Sequence, residues 1–256
     1  MLRPIPVLCY HRVGPGPGPF STTPEVFAAH LAWLSGQGYT TLTASEVGAV
    51  AAGRAAAPVG PAVALTFDDG YADLDTAVAP ALRHHGFRAT SFLITDRCPA
   101  DPSPGDEHLS WSAARRLADE GVLEFRSHTH SHERWELAPG LADEVADDIA
   151  TSVKALAEGL GRPPDVMAEL AWPWGRTCDA WDEAARRLGV GTQFVVQRGA
   201  VTRPGVTTRL PRMLVDGMSP AAFARWLRVL STRPGALAAN RVFGSIRQRR
   251  QGAGYR

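Results

Sequence analysis

The chain has 256 residues, 45% hydrophobic and 21% charged, the composition of an ordinary globule, and suits one large α/β domain better than two small ones. A formal net charge of +1 gives no reason to expect nucleic acid as a partner, and no run approaches the roughly 20 apolar residues that span a bilayer. Cys9, Cys98 and Cys178 offer neither a disulfide framework nor a CxxC metal site and read as small buried hydrophobes.

The start, Met1 to His11, is broken by Pro4 and Pro6 and lacks a signal-peptide core, so the cytoplasm is the expected compartment. Ile5 to Tyr10 is predicted as a buried strand, and Gly14 to Pro19 as a loop. Thr23-Pro24-Glu25 opens a helix to about Gly36, with Val26, Phe27, Leu31 and Leu34 on one stripe. Thr43 and Glu46 have capping-box spacing for a shorter helix. Ala55 to Pro61 is a linker, after which strands and helices alternate. Strands are expected at Ala62–Phe67, Ala89–Ile94, Val122–Arg126, Ala168–Trp172, Thr192–Val196 and Leu210–Val215. Helices are expected from Asp73 to Gly86, from Ser110 to Glu120, after Pro139 to near Gly161, over Asp179–Leu188, and from Ser219 to Leu230. Residues 1–240 read as one catalytic domain, and 241–256 as a basic, flexible, solvated tail for which a weak anionic contact is the sharper alternative. Repeated β-then-α units argue for a parallel sheet, open or closed into a barrel, with chemistry at the carboxyl ends of the strands.

Thr66-Phe67-Asp68-Asp69-Gly70 sets two adjacent carboxylates where a buried strand ends, which is costly unless a cation is near. The same residues suit a plain turn, and a nucleotide-sugar transferase can use such a pair to hold a divalent ion. Arg126-Ser127-His128-Thr129-His130-Ser131-His132 also follows a predicted strand. If extended, its three histidines share one face; if helical after His128, then His128 and His132 are one turn apart. Either geometry offers two imidazoles to one ion, against the blander reading of a histidine-rich polar loop. A carboxylate completes a 2-His-1-carboxylate set with positions open to water and substrate. An ion there lowers the pKa of bound water and polarises a carbonyl, while the neighbouring carboxylate takes the proton. Such a site hydrolyses an amide or ester.

On these two motifs the chain resembles the polysaccharide deacetylases of the NodB-homology type, carbohydrate esterase family four. Thr66 to Gly70 matches the family's TFDDG motif, and His128 to His132 its H-S/T-x-x-H motif, in the same order. The likeness covers about Ile5 to Leu230. It implies an α/β fold, a distorted (β/α) barrel of about seven parallel strands. It implies Asp68 as the catalytic base and Asp69, His128 and His132 as ligands of a divalent metal, zinc first, with cobalt and nickel as alternatives. His130 becomes a spacer. The implied activity is removal of an acetyl group, N-acetyl first, from an acetylated sugar or polysaccharide.

The sequence departs from the family pattern at several places. Its third motif, Arg-x-Pro-Tyr, appears as Ala171-Trp172-Pro173-Trp174-Gly175. The resemblance assigns the oxyanion to the backbone N–H at Trp174, a donor that does not depend on the side chain. The Trp174 indole is left to wall the pocket or stack on a sugar, and Trp172 is expected in the core. Ala171 replaces the arginine that holds the catalytic aspartate, and Arg212 is a candidate substitute from another strand. Arg126 stands where glycine is common. No histidine follows His132, so the usual late general acid is missing. The run Pro6 to His11 resembles the entry strand of the poly-N-acetylglucosamine deacetylase subgroup and makes His11 a candidate acid or orienting group. The alternatives are a histidine that is merely nearby and an Asp68 that acts first as base, then as acid. Hydrolysis of a cyclic or non-sugar amide, and glycan binding without catalysis, are the rival functions. Among the other histidines, His30 lies in a helix, His84 and His85 close another, and His108 sits in a loop.

Overall fold

The computed structural model describes residues 3–15, 18–135, 141–163, 168–202 and 209–253, with side chains as far as residue 244. Ile5–Tyr10 forms β1 and Ala62–Phe67 forms β5, each with all six residues buried. Between them lie the short pair β2 (Arg12–Val13) and β3 (Ser21–Thr22), helix α1 (Pro24–Gly36), strand β4 (Thr40–Leu42) and helix α2 (Ala44–Ala51). Both helices start as their sequences require. The Thr23 hydroxyl accepts the Val26 N–H, and Thr43 and Glu46 form a reciprocal capping box.

Next come α3 (Ala79–His85), β6 (Ala89–Leu93), α4 (Trp111–Asp119), β7 (Leu123–Ser127), α5 (Ala142–Leu160), β8 (Glu169–Ala171) and α6 (Asp179–Arg187). The chain ends with β9 (Thr192–Val196), β10 (Ala200–Val201), β11 (Arg209–Leu214), α7 (Pro220–Leu230) and α8 (Arg233–Ala253). The helix expected from Asp73 begins as a π-turn, Leu74–Val78, before α3. Pro80, which has no N–H to donate, falls at that junction. The tail read from Arg241 begins inside α8, so no break in secondary structure falls there. No described helix is long and apolar enough to cross a membrane.

Seven parallel strands, in the order β1-β11-β9-β8-β7-β6-β5, close on themselves because β1 also pairs with β5 from Val7↔Ala64 to Tyr10↔Phe67. The result is the (β/α) barrel that the motifs implied. The closure explains why β1 and β5 are buried on both faces. Alternate residues go to different cores. Ile5, Val7, Ala64, Phe92, Phe194 and Leu210 pack inside with Ala44, Val47 and Val50 of α2. Leu8, Tyr10, Leu65 and Phe67 face the outer helices.

Helix α2 therefore plugs the amino-terminal mouth of the barrel. Its Ala44 N–H donates to Thr90 Oγ1 at 2.8 Å, and Ser45 Oγ to Glu124 Oε1 at 2.5 Å. Glu124 and Glu169 are joined there by Arg126, at 2.9 and 2.5 Å. Arg126, unexplained as a sequence feature, is the cation of this inner cluster. With that end sealed, the loops at the carboxyl ends are free to build a pocket.

Candidate active site

Asp69 is left-handed, at φ 69°, and Gly70 follows at 74°, a turn at the carboxyl end of β5 that leaves Asp68 Oδ2 and Asp69 Oδ1 3.8 and 3.5 Å from His128 Nε2. A Cβ on Gly70 would stand 2.5 Å from Leu93 Cδ2, so both conformation and space require glycine there. Asp68 points inward and is 2% exposed. Its two oxygens accept from Arg212 at 2.6 and 2.8 Å, a bidentate pair with the guanidinium fully buried on β11. Cys9 Sγ donates to the same carboxylate at 3.4 Å. Burial alone would raise the Asp68 pKa, but the Arg212 charge, helped by His128, holds it well below the usual carboxylate range. Arg212 thus occupies the role left empty at Ala171.

His128 follows β7 and is 2% exposed. Its Nδ1 donates to the Ala171 carbonyl at 2.7 Å, which leaves Nε2 with the lone pair that a metal uses. The chain after it is neither extended nor helical. Thr129 and His132 both adopt left-handed φ, 68° and 58°, and bring the His128 and His132 rings to 4.9 Å. Asp148 of α5 fastens this loop, accepting the N–H groups of His130 and Ser131 at 2.8 and 3.0 Å. His130 faces away, its Nδ1 2.9 Å from Thr95 Oγ1.

Asp69 Oδ1 lies 3.5 Å from His128 Nε2 and 3.6 Å from His132 Nε2. That oxygen is buried and has no hydrogen-bond partner among the described residues. An orphaned carboxylate oxygen between two imidazole nitrogens is costly by itself. The same donor set fits a divalent cation, with all ligand atoms within 4.8 Å of one another.

The remaining walls come from three other loops. Trp174 turns left-handed, at φ 58°, and is 47% exposed, with its ring 5.3 Å from His132 and Arg134 stacked on it at 4.5 Å. Trp172 is buried and donates its indole N–H to Gln193 at 2.8 Å. His11 follows β1, and Asp216 after β11 holds it twice, accepting its backbone N–H at 3.1 Å and its Nδ1 at 2.7 Å. Burial works against a charged His11, but the Asp216 hydrogen bond and the Asp68 charge outweigh it, so its pKa is raised. Phe20 covers the His11 ring, with centroids at 4.8 Å. His11, Phe20 and Trp174 border one cavity of about 310 Å³ with Asp68, Asp69, His128 and His132, together with Tyr71, Arg97, Val196 and Leu214.

The structure thus brings Asp68, Asp69, His128, His132, Trp174 and His11 to one pocket. Sequence reasoning missed Asp216, Asp148 and Phe20. Asp216 and Phe20 are lone loop residues and Asp148 is one acid among several on α5, so none carries a motif, although Asp216 directly follows the predicted Leu210–Val215 strand. His30, His84, His85 and His108 do not line the pocket. His30 is buried with its Nδ1 3.0 Å from the Tyr10 hydroxyl and its Nε2 3.0 Å from the Met218 carbonyl.

The family model for polysaccharide deacetylase matches residues 56–193. The Bacillus subtilis protein YxkH is 29% identical over 87% of this chain and 76% of its own length. A poly-beta-1,6-N-acetyl-D-glucosamine N-deacetylase of Staphylococcus epidermidis is 25% identical, over 77% of this chain and 68% of its own. Among solved structures, IcaB from Ammonifex degensii superposes with a TM-score of 0.76 at 28% identity, covering 88% of this chain and 97% of that one. A barrel with this strand order, carrying the acidic and histidine motifs at its carboxyl end, belongs to the polysaccharide deacetylase family.

Proposed function

We propose that this carbohydrate deacetylase is metal-dependent and removes N-acetyl groups from an acetylated amino-sugar chain. The orphaned Asp69 oxygen between His128 and His132, beside a carboxylate held by Arg212, carries the reading. A divalent ion on Asp69, His128 and His132, zinc first, would acidify a water and polarise the acetyl carbonyl. Asp68, ionised throughout the working pH range, accepts the proton of the attacking water. The Trp174 N–H donates to the developing oxyanion. His11, fixed through Nδ1 by Asp216, presents its other nitrogen to the pocket and protonates the departing amine. Phe20 and Trp174, 43% and 47% exposed at the rim, offer flat faces to sugar rings.

The missing arginine at Ala171 and the missing late histidine are the grounds for glycan binding without catalysis; the Arg212–Asp68 pair and the His11–Asp216 pair support catalysis instead. The relatives' names make a β-1,6-linked N-acetylglucosamine oligomer the first substrate to try. Acetate release from it should stop on chelation and return with zinc, cobalt or nickel. Metal-loaded protein that releases no acetate from any acetylated sugar would end the proposal.

A further inference from the structure

The last 40 residues, from Gly217 onward, contain eight arginines and no aspartate, glutamate or lysine. Since the whole chain carries +1, the 216 residues before them carry −7. The near-neutral total therefore hides a strong segregation of charge, and all of it falls on α7, α8 and their flanks.

On α7 the buried face is Phe223, Ala224, Leu227 and Leu230. Arg225, Arg228 and Val229, at i, i+3 and i+4, lie on the opposite face and are exposed. On α8 the residues Arg233, Leu237 and Arg241, at i, i+4 and i+8, are likewise exposed, with Val242 beside them, while Ala236 and Ala239 are buried. The helices adjoin at Gly235, where an added Cβ would stand 2.9 Å from Val229 Cγ1. Val229, Leu237 and Val242 are 40%, 46% and 52% exposed, so three of the seven exposed large hydrophobics among the described residues fall on this basic surface. The helical backbone runs on to Ala253, and that stretch of sequence adds Arg247, Arg249 and Arg250.

From this combination we infer that α7 and α8 form a docking surface for a membrane rich in anionic lipid. Arginine forks pair with lipid phosphates, and the aliphatic side chains between them enter the headgroup boundary. Single-stranded nucleic acid fits less well, because it needs stacking platforms. Here Trp226 and Phe243 are partly buried against each other at 6.2 Å, and Arg198 already stacks on both. The surface is separate from the pocket, so the inference does not depend on the deacetylase chemistry.

The test is co-sedimentation of the full chain with phosphatidylglycerol–phosphatidylcholine vesicles and with pure phosphatidylcholine vesicles, at low and high salt. Binding is expected only to the anionic vesicles and should weaken with salt. Replacing Arg225, Arg228 and Arg241 together with glutamine should weaken it on the order of 100-fold or more. Leu237→Gln should also weaken it with the charge unchanged, which separates docking from simple ion exchange. Arg228 also lies 5.6 Å above the Trp33 ring, so the triple variant is checked to be folded, and both variants should keep wild-type turnover of a soluble substrate. No binding to anionic vesicles, binding indifferent to the arginine or Leu237 changes, or binding to single-stranded DNA in preference to vesicles would each overturn the inference.

Discussion

The two ends of the barrel are built on opposite terms. At the amino-terminal mouth, α2 caps itself through Thr43 and Glu46, and its neighbours' charges are paired within the cluster of Glu124, Arg126 and Glu169. At the carboxyl end, Asp69, Thr129, His132 and Trp174 are the four non-glycine residues with left-handed φ among the described residues. Strain of that kind costs about 1–3 kcal/mol per residue. Asp69 adds a buried oxygen without a partner. One end is satisfied by its own residues, while the other is held in tension by surrounding contacts such as Asp148 and is completed only by what it binds. A binding site has to keep open valences, and the sealed end supplies the stability that tolerates them.

Substitutions at the two ends should therefore fail differently. Asp68→Asn is expected to lower kcat by about 10²–10⁴ while metal content, measured on the purified protein, stays at the wild-type level. Arg126→Met, at the other end, strands Glu124 and Glu169 and should cost about 3–5 kcal/mol in denaturant unfolding, with kcat per folded molecule unchanged. If Arg126→Met instead lost turnover at full stability, the division between the ends would be wrong. Gly48→Ala is a milder test of the plug. Its Cβ would meet Thr192 Oγ1 at 2.6 Å and Cγ2 at 3.2 Å, a clash expected to cost about 1–3 kcal/mol, again without effect on kcat.

The smallest effect at neutral pH belongs to neither end. Burial lowers the His30 pKa to about 4, below that of a free histidine near 6.5. Between those values the unfolded chain binds the extra proton, so stability is full above about pH 6.5 and falls as pH drops toward 4. His30→Gln keeps an acceptor for Tyr10 and a donor for Met218, and it should flatten that part of the curve of unfolding free energy against pH.

Much of the fold was legible because the signals were local. Thr23, Thr43, Ser110 and Ser219 cap helices where the sequence placed them, and Gly161 ends α5 in a left-handed turn. Barrel closure was left open because the β1–β5 pairing joins segments separated by two helices and no periodicity records it. The acidic and histidine motifs were legible because their residues are contiguous. The geometry of His128 and His132 was not, since it turns on a left-handed Thr129 that nothing in its residue type announces. Arg212 was visible only as a gap to be filled at Ala171. Asp216 stands 205 residues from His11, and only the barrel brings them together.

The position of β1 between β5 and β11 has a consequence for biosynthesis. A nascent chain exposes the β1 edge from the moment it emerges, yet one of that strand's partners, β11, is the last barrel strand to leave the ribosome. Until Arg212 arrives, Asp68 lacks its counter-charge, and His11 has no anchor before Asp216. β1 must wait, unpaired on one side, until the chain has been made as far as β11, its partner at Leu8↔Met213.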